Sequence, residues 1–321
     1  MHGHLIEQTL HPALRGDNTL HVIGVVSNPV RYRSRWRLAR QWRAEMEATP
    51  NVHVHLVEAA FGDRHHEIAN DSDGDLQVRT DSEIWIKENL INLGVRYTLP
   101  RDWKYVAWID ADVSFRDPTW AQETLHQLQH YPVVQPWQSC ADLGPDGEIM
   151  QSHSSFGYLT QRGVRIQRWT GEPYQYGHSG FAWACRRDFW EQAQGLMDFA
   201  ILGSADHHMA WAMIGDVDST IHRGMSAPFF RLCHEWQARV VRSTNKHVGF
   251  TTGRIEHHFH GRKTRRQYRE RWQILIDSGF NPDRDLVRDS QGLIRLANRP
   301  EIEEEIRHYN RSRMEDSIDP D

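Results

Sequence analysis

Hydrophobic positions along the chain fall into short apolar runs separated by longer stretches with helical spacing. Residues 19–27 (TLHVIGVVS) form a β-branched run that stops at Asn28-Pro29, the pattern of a buried parallel strand feeding a loop. The spacing predicts a helix over 35–47, and alternation over 52–58 (VHVHLVE) predicts a second strand. Residues 61–75, which end in Asp-Ser-Asp-Gly-Asp, read as a polar loop. Asp81 can cap a helix running to about residue 93, with Gly94 as its stop. A third buried strand, 105–109 (YVAWI), ends directly on Asp110-Ala111-Asp112. Asp117-Pro118 opens a helix over 119–130, and Val133-Val134-Gln135 returns as a strand. Such alternation predicts an α/β fold with a doubly wound sheet, whose ligands bind beyond the carboxyl ends of the strands, here near Asn28, Glu58 and Asp110.

The second half is less regular. It offers a glycine- and aromatic-rich segment over 174–183 (YQYGHSGFAW), helices over 186–197 and 205–214, and a strongly charged helix over 264–278. After Pro300 the pattern reads as a short solvated helix followed by disorder.

Composition narrows the classes. At 39% hydrophobic and 25% charged residues, the chain of 321 residues is globular, with one large domain plus appendages as the expected organisation. A net charge of −5 creates no general positive field for a polyanion. Cys140, Cys185 and Cys233 are odd in number, far apart and form no CxxC pair, so neither a disulfide framework nor a zinc ribbon is suggested, and a reducing, cytoplasmic setting fits. No apolar run approaches the ~20 residues that span a bilayer, and the first 20 residues lack a signal-peptide pattern, so a soluble protein without membrane contact is expected.

Two clusters could carry chemistry. Asp110 and Asp112, two apart just beyond a buried strand, can hold a hard divalent ion together with a diphosphate, although loop aspartates also serve as turn residues. His257, His258 and His260 could complete such a site; a mixed carboxylate and imidazole set suits Mn²⁺ better than Mg²⁺. The following Arg262, Lys263, Arg265 and Arg266 could neutralise a diphosphate. Asp206 stands where a helix begins and is either its cap or a general base. The basic run 262–271 (RKTRRQYRER) would suit a nucleic acid or simply a solvated helix.

Read in order, these segments resemble the β-1,4-galactosyltransferase family. Pro29-Val30-Arg31-Tyr32-Arg33 is similar to that family's Pro-Phe-Arg-Asn-Arg, and residues 85–94 (WIKENLINLG) resemble its Phe-Asn-Arg-Ala-Lys-Leu-Leu-Asn-Val-Gly. Residues 106–112 (VAWIDAD) resemble Phe-Val-Phe-Ser-Asp-Val-Asp, and residues 176–182 (YGHSGFA) resemble Tyr-Phe-Gly-Gly-Val-Ser-Ala. Residues 202–207 (LGSADH) echo Trp-Gly-Gly-Glu-Asp-Asp, which puts the family's base on Asp206, and His257 with His260 match its Met-Ile-Arg-His metal ligands. Ala205 and Leu202 depart from the family's Glu and Trp, so its N-acetylglucosamine acceptor is not implied. The chain also resembles glycosyltransferases of tailed bacteriophages, in which His-x-x-His-Gly precedes a basic helix.

The resemblance implies a GT-A, Rossmann-like nucleotide-diphospho-sugar transferase fold with a mixed, mostly parallel central sheet. It implies a single catalytic domain over 1–280, with a donor half at 20–135 and an acceptor half at 136–262, followed by a C-terminal extension over 281–321. The implied reaction is inverting transfer from a nucleotide-sugar, a UDP-sugar in the family, to a hydroxyl on a glycan or a modified DNA base. Asp206 would be the base, with Asp110, Asp112, His257 and His260 holding Mn²⁺ or Mg²⁺. Pro29, Arg31, Arg33, Trp85, Lys87, Asp110, Gly180 and Lys263 would line the donor, Lys263 closing over the diphosphate. Two competing classes are a metal-dependent hydrolase or phosphodiesterase using the same Asp and His residues, and a non-catalytic nucleic-acid or glycan binder.

Overall fold

A computed structural model describes residues 19–70, 74–164 and 177–318. The first half builds β1 (Leu20–Ser27), α1 (Arg33–Glu47), β2 (Val52–Phe61), β3 (Leu76–Thr80), α2 (Lys87–Thr98), β4 (Tyr105–Ile109), β5 (Val113–Phe115), α3 (Trp120–Gln127) and β6 (Val133–Gln135). Next come β7 (Ser139–Leu143), β8 (Ile149–Ser154), α4 (Phe156–Gln161), β9 (Ala182–Arg186), α5 (Arg187–Ala193), α6 (Ala205–Met213) and α7 (Ala227–Thr244). The chain continues through β10 (Gly249–Phe250), β11 (Arg254–His257), α8 (Trp272–Asp277), α9 (Pro282–Asp285), β12 (Leu286–Arg288), β13 (Ile294–Leu296) and α10 (Pro300–Ser312).

The fold is α/β. Its seven-stranded central sheet has the order β10-β6-β9-β4-β1-β2-β3, and only β9 runs against its neighbours. Successive residues of the apolar strands face opposite layers. Val22, Leu56 and Ala107 join the core under α1 and α3, whereas Ile23, Val57 and Val106 join the larger core that holds residues of α2, α5, α6 and α7. Burial on both faces is why β1 and β4 read as continuous hydrophobic runs, whereas β2, which alternates over 52–58, is buried on both faces only from His55 onward. A second sheet, β5-β11-β7-β8, abuts the carboxyl end of β4, so Asp110-Ala111-Asp112 is the link by which the chain leaves one sheet and enters the other.

Several expectations need correction. The helix expected over 81–93 starts at Lys87 and passes through Gly94 to Thr98. Gly94 is a contact residue instead of a stop: a Cβ there would lie 2.9 Å from Val57 Cγ2 and 3.0 Å from Ile23 Cγ2, so its absence lets α2 settle on β1 and β2. The expected polar loop over 61–75 begins inside β2 and is followed at once by the unpredicted β3. The charged helix expected over 264–278 is broken at Gln267, which has a left-handed φ of 45°, into a 3-10 turn at Thr264–Arg266 and the short α8. The segment after Pro300 is not solvated throughout: α10 buries Ile302, Ile306 and Tyr309, and the chain stays placed to residue 318, with Arg313 and Glu315 buried. Most of the glycine and aromatic segment that begins at residue 174 is described only from Gly177 onward; Tyr174, Gln175 and Tyr176 lie outside the described residues, as do residues 1–18.

Candidate active site

The strand register brings two of the metal-ligand candidates, Asp112 and His257, together with Asp142. β11 lies between β5 and β7, pairing His257 with Val113 on one side and with Asp142 on the other. Neighbouring residues on adjacent strands share a face, so His257 stands between the Asp112 link and the Asp142 carboxylate. His257 Nδ1 is 2.7 Å from Asp142 Oδ1 and His257 Nε2 is 3.8 Å from Asp112 Oδ2. His260, three residues on, places its Nε2 2.9 Å from the same Asp112 oxygen and 3.3 Å from His257 Nε2. His258 turns away: its backbone N–H donates to Asp112 O, and its ring bonds the Ser114 hydroxyl at 2.7 Å.

This trio has an electrostatic conflict that a cation resolves. The Arg266 guanidinium donates to His260 Nε2 at 2.8 Å, which requires a lone pair there, while Asp112 Oδ2 on the same nitrogen requires a proton. Asp112 Oδ1 is buried with no hydrogen-bond partner among the described residues. One oxygen and two imidazole nitrogens, all within 4.8 Å of one another, are a donor set that a divalent ion such as Mn²⁺ accepts. Among the described residues this is the one group of three or more with such geometry. Asp142 supplies the outer support: an acceptor at Nδ1 leaves His257 Nε2 as the coordinating atom, the usual carboxylate–histidine–metal arrangement. Its second oxygen binds His153 and Lys263.

The pKa shifts follow from these contacts. Burial works against a charged His257, but Asp112 and Asp142 outweigh it and raise the imidazole to about 9. Burial works against the Asp112 carboxylate too, yet His257 and His260 hold it well below the ordinary range. Asp110 behaves differently. Burial, with Asp112 beside it, raises its pKa, and its carboxylate is paired with Lys87 Nζ at 2.5 Å instead of joining the histidines. Lys87 is held protonated: the carboxylates of Asp110, Glu88 and Asp206 prevail over its burial.

A cavity of about 150 Å³ opens beside this cluster at the carboxyl ends of β1 and β4. Pro29, Trp85, Lys87, Asp110, Asp112 and His260 line it, together with Arg35 and Arg313. Arg31 and Arg33 are exposed and do not line it; Arg35, two residues beyond Arg33 in α1, does. Lys263 is bound to Asp142 and Gln151. Gly180 faces Asp206: a Cβ at 180 would stand 2.7 Å from Asp206 Oδ2. Asp206 occupies the first turn of α6, where its Oδ1 accepts the His207 N–H at 2.9 Å. The other two strand-end candidates have structural duties. Asn28 bonds the main chain of Tyr32 to hold a turn, and Glu58 accepts three backbone N–H groups at residues 67–69.

Arg35, Asp142, Arg313 and Glu315 were missed in the sequence. Asp142 had a usable signal, since it sits within an otherwise uncharged five-residue stretch (SCADL) that makes a strand. Among the described tryptophans, Trp42, Trp137 and Trp236 are wholly buried core residues, and Trp85 is the one that lines the cavity.

No protein-family model matches the chain, and no curated protein matches it. Solved structures do match. The catalytic domain of Drosophila β1,4-galactosyltransferase 7 in complex with xylobiose is 14% identical, covering 87% of this chain and 94% of that one at a TM-score of 0.38. A mutant of the same enzyme in complex with manganese, UDP-Gal and xylobiose gives the same values. A Desulfovibrio desulfuricans protein described as a nucleotide-diphospho-sugar transferase is 10% identical, covering 75% of this chain and 82% of that one at a TM-score of 0.34. The superposition is loose in each case. No helix among the described residues is long and apolar enough to cross a membrane.

Proposed function

We propose that this chain is a metal-dependent glycosyltransferase of the GT-A kind, moving a sugar from a nucleotide-sugar, with a UDP-sugar the first candidate, to a hydroxyl acceptor. The observation that carries the reading is the convergence of Asp112 Oδ2, His257 Nε2 and His260 Nε2 beside the cavity at the ends of β1 and β4. Ligand pockets of α/β sheets form at that edge, and a phosphorylated donor needs cationic partners there. Asp112, His257 and His260 would hold a divalent ion, Mn²⁺ by preference, with Asp142 orienting His257. When bound, such an ion supplies Lewis-acid charge for a departing diphosphate.

The chain's own residues account for the rest. Lys87 Nζ, fixed by Asp110, adds a positive charge at the cavity wall, and Trp85 offers a ring face for a flat base or a sugar. Asp206 is the general base: one oxygen is anchored by the His207 N–H, and the other, against the bare Cα of Gly180, takes the proton of the acceptor hydroxyl as that oxygen attacks the anomeric carbon. Inversion of configuration follows from that single displacement.

The deciding experiment incubates the purified protein with UDP- and GDP-sugars, with and without Mn²⁺, and measures release of the nucleoside diphosphate. Release from one donor that needs Mn²⁺ and is lost in Asp112→Ala is the expected result. No binding or turnover of any donor with any divalent metal would remove the reading.

A further inference from the structure

The segment after α10 forms part of the cavity wall. From 313 to 316 it alternates: Arg313 and Glu315 are buried, while Met314 and Asp316 are exposed. It is fastened on both sides. Asp316 accepts the Arg33 and Ser34 N–H groups at 2.9 and 2.8 Å, at the start of α1. The Tyr32 hydroxyl donates to Asn310 O at 2.8 Å and accepts the Met314 N–H at 3.0 Å. Gly261, with a left-handed φ of 83°, makes room, since a Cβ there would stand 2.8 Å from Glu315 Cα.

This segment carries a cluster of guanidinium groups to the metal-ligand trio. Glu315 binds Arg35 through two contacts, at 2.5 and 2.7 Å, and Arg313 Nη2 at 2.8 Å. Arg266 stands at His260, as described above. Three permanent cations, Arg35, Arg266 and Arg313, therefore meet two carboxylates, Glu315 and Asp112, and a divalent ion at the trio would widen the positive excess. Buried charge without a counter-charge is strongly disfavoured, so the cluster calls for an anion of more than one negative charge. Arg313 is the group placed to receive it. It is 6% exposed, lines the cavity, lies over the Trp85 ring at 5.7 Å, and its Nε has no hydrogen-bond partner among the described residues.

We propose that Arg313 binds the diphosphate of the nucleotide donor, which makes the C-terminal extension a working part of the donor site. The assignment rests on the glycosyltransferase reading above. A guanidinium presents a fixed fork of donors to phosphate oxygens, and a lysine cannot reproduce the fork.

The test is calorimetric titration of UDP and GDP, in saturating Mn²⁺, into the full chain and its Arg313→Gln and Arg313→Lys variants, with Mn²⁺ alone titrated in parallel. Loss of charge-assisted hydrogen bonds should weaken binding of the preferred nucleotide about 10- to 100-fold in Arg313→Gln. Arg313→Lys should fall between that variant and the wild type, and Mn²⁺ affinity should stay unchanged in both. Wild-type nucleotide affinity in Arg313→Gln overturns the inference and leaves the glycosyltransferase reading standing. Failure of the wild type itself to bind either nucleotide with Mn²⁺ removes both. If Arg313→Gln does not fold, Arg313→Lys, which keeps the charge beside Glu315, decides: full affinity there refutes the fork.

Discussion

Raising the pH of the metal-free protein should cost it stability through one imidazole. His257 is 5% exposed and lies between Asp112 and Asp142, which lift its pKa from the ordinary 6.5 to about 9. The unfolded chain releases that proton near the ordinary value, so the stabilisation is fully present below about pH 6.5 and is lost as the pH rises through about 9. The gap corresponds to about 3 kcal/mol, or a melting temperature lower by about 5 °C in a protein of this size. Between pH 7.5 and 9 burial has already left His55, His207 and His208 neutral, lowering them to about 3, 4 and 3. The thiols of Cys140, Cys185 and Cys233, which burial pushes up, add their own loss of stability as the unfolded thiols ionise, so the His257 effect is read as the difference from a variant that keeps those thiols. Glu88, pushed by burial up to about 7, has largely lost its proton. Thermal denaturation in EDTA across that window is the assay, with Asp142→Asn as the comparison that should flatten the slope. The same proton must leave before a divalent ion binds, so Mn²⁺ affinity should climb over the same range. A melting temperature that stays level or rises from pH 7.5 to 9 in the metal-free protein would refute the reasoning.

Two substitutions test the packing that supports the site. Gly180→Ala would set a methyl 2.7 Å from Asp206 Oδ2 and 3.0 Å from His178 Cε1. The His178 ring is stacked on Phe181 at 4.0 Å and cannot retreat, so Asp206 has to move. Turnover should drop about 10²-fold with little change in melting temperature; an unchanged rate would take the base role away from Asp206. Gly24→Ala would place its Cβ 2.3 Å from Cη2 of the wholly buried Trp42, forcing α1 away from β1. A stability loss of about 1–3 kcal/mol is expected in urea denaturation, and wild-type stability would mean that the α1 interface is looser than its contacts indicate.

The parts of the fold legible in the sequence were those with apolar contrast. β1, β2 and β4 are short β-branched or aromatic runs bounded by turn residues, and α6 and the Asp-x-Asp link fell near the positions that the pattern indicated. β7 and β8 were illegible because SCADL and IMQSHS carry little hydrophobic contrast; they pair with each other, and the other edge of β7 is completed by β11, more than a hundred residues later. α7 was missed although Phe229, Cys233, Trp236, Val240 and Thr244 recur at three- and four-residue steps and are all buried. The exposed Arg231, Glu235 and Arg242 obscured the stripe. The C-terminal wall was beyond any hydropathy argument, because there the buried positions are Arg313 and Glu315 and an exposed one is Met314. Ion pairing, and not apolar burial, sets that segment's alternation. Similarly, Arg35 was overlooked in favour of Arg31 and Arg33 because a motif gives order along the chain, while cavity lining depends on where a helix starts to turn.

The central sheet also bears on how this protein can move. One continuous hydrogen-bonded layer runs from β3 at one edge to β10 at the other, and it joins the strand that delivers Asp110 to the antiparallel strand that follows Gly180. A hinge requires a few residues that absorb rotation between two separately packed bodies. Here the strand that ends at Asp110 and the strand that follows Gly180 share a backbone ladder, and shearing it would break several hydrogen bonds at once. Any widening of the cavity has to come from wall segments outside that ladder, such as residues 83–87 and 310–313, a smaller motion than the closing of two lobes.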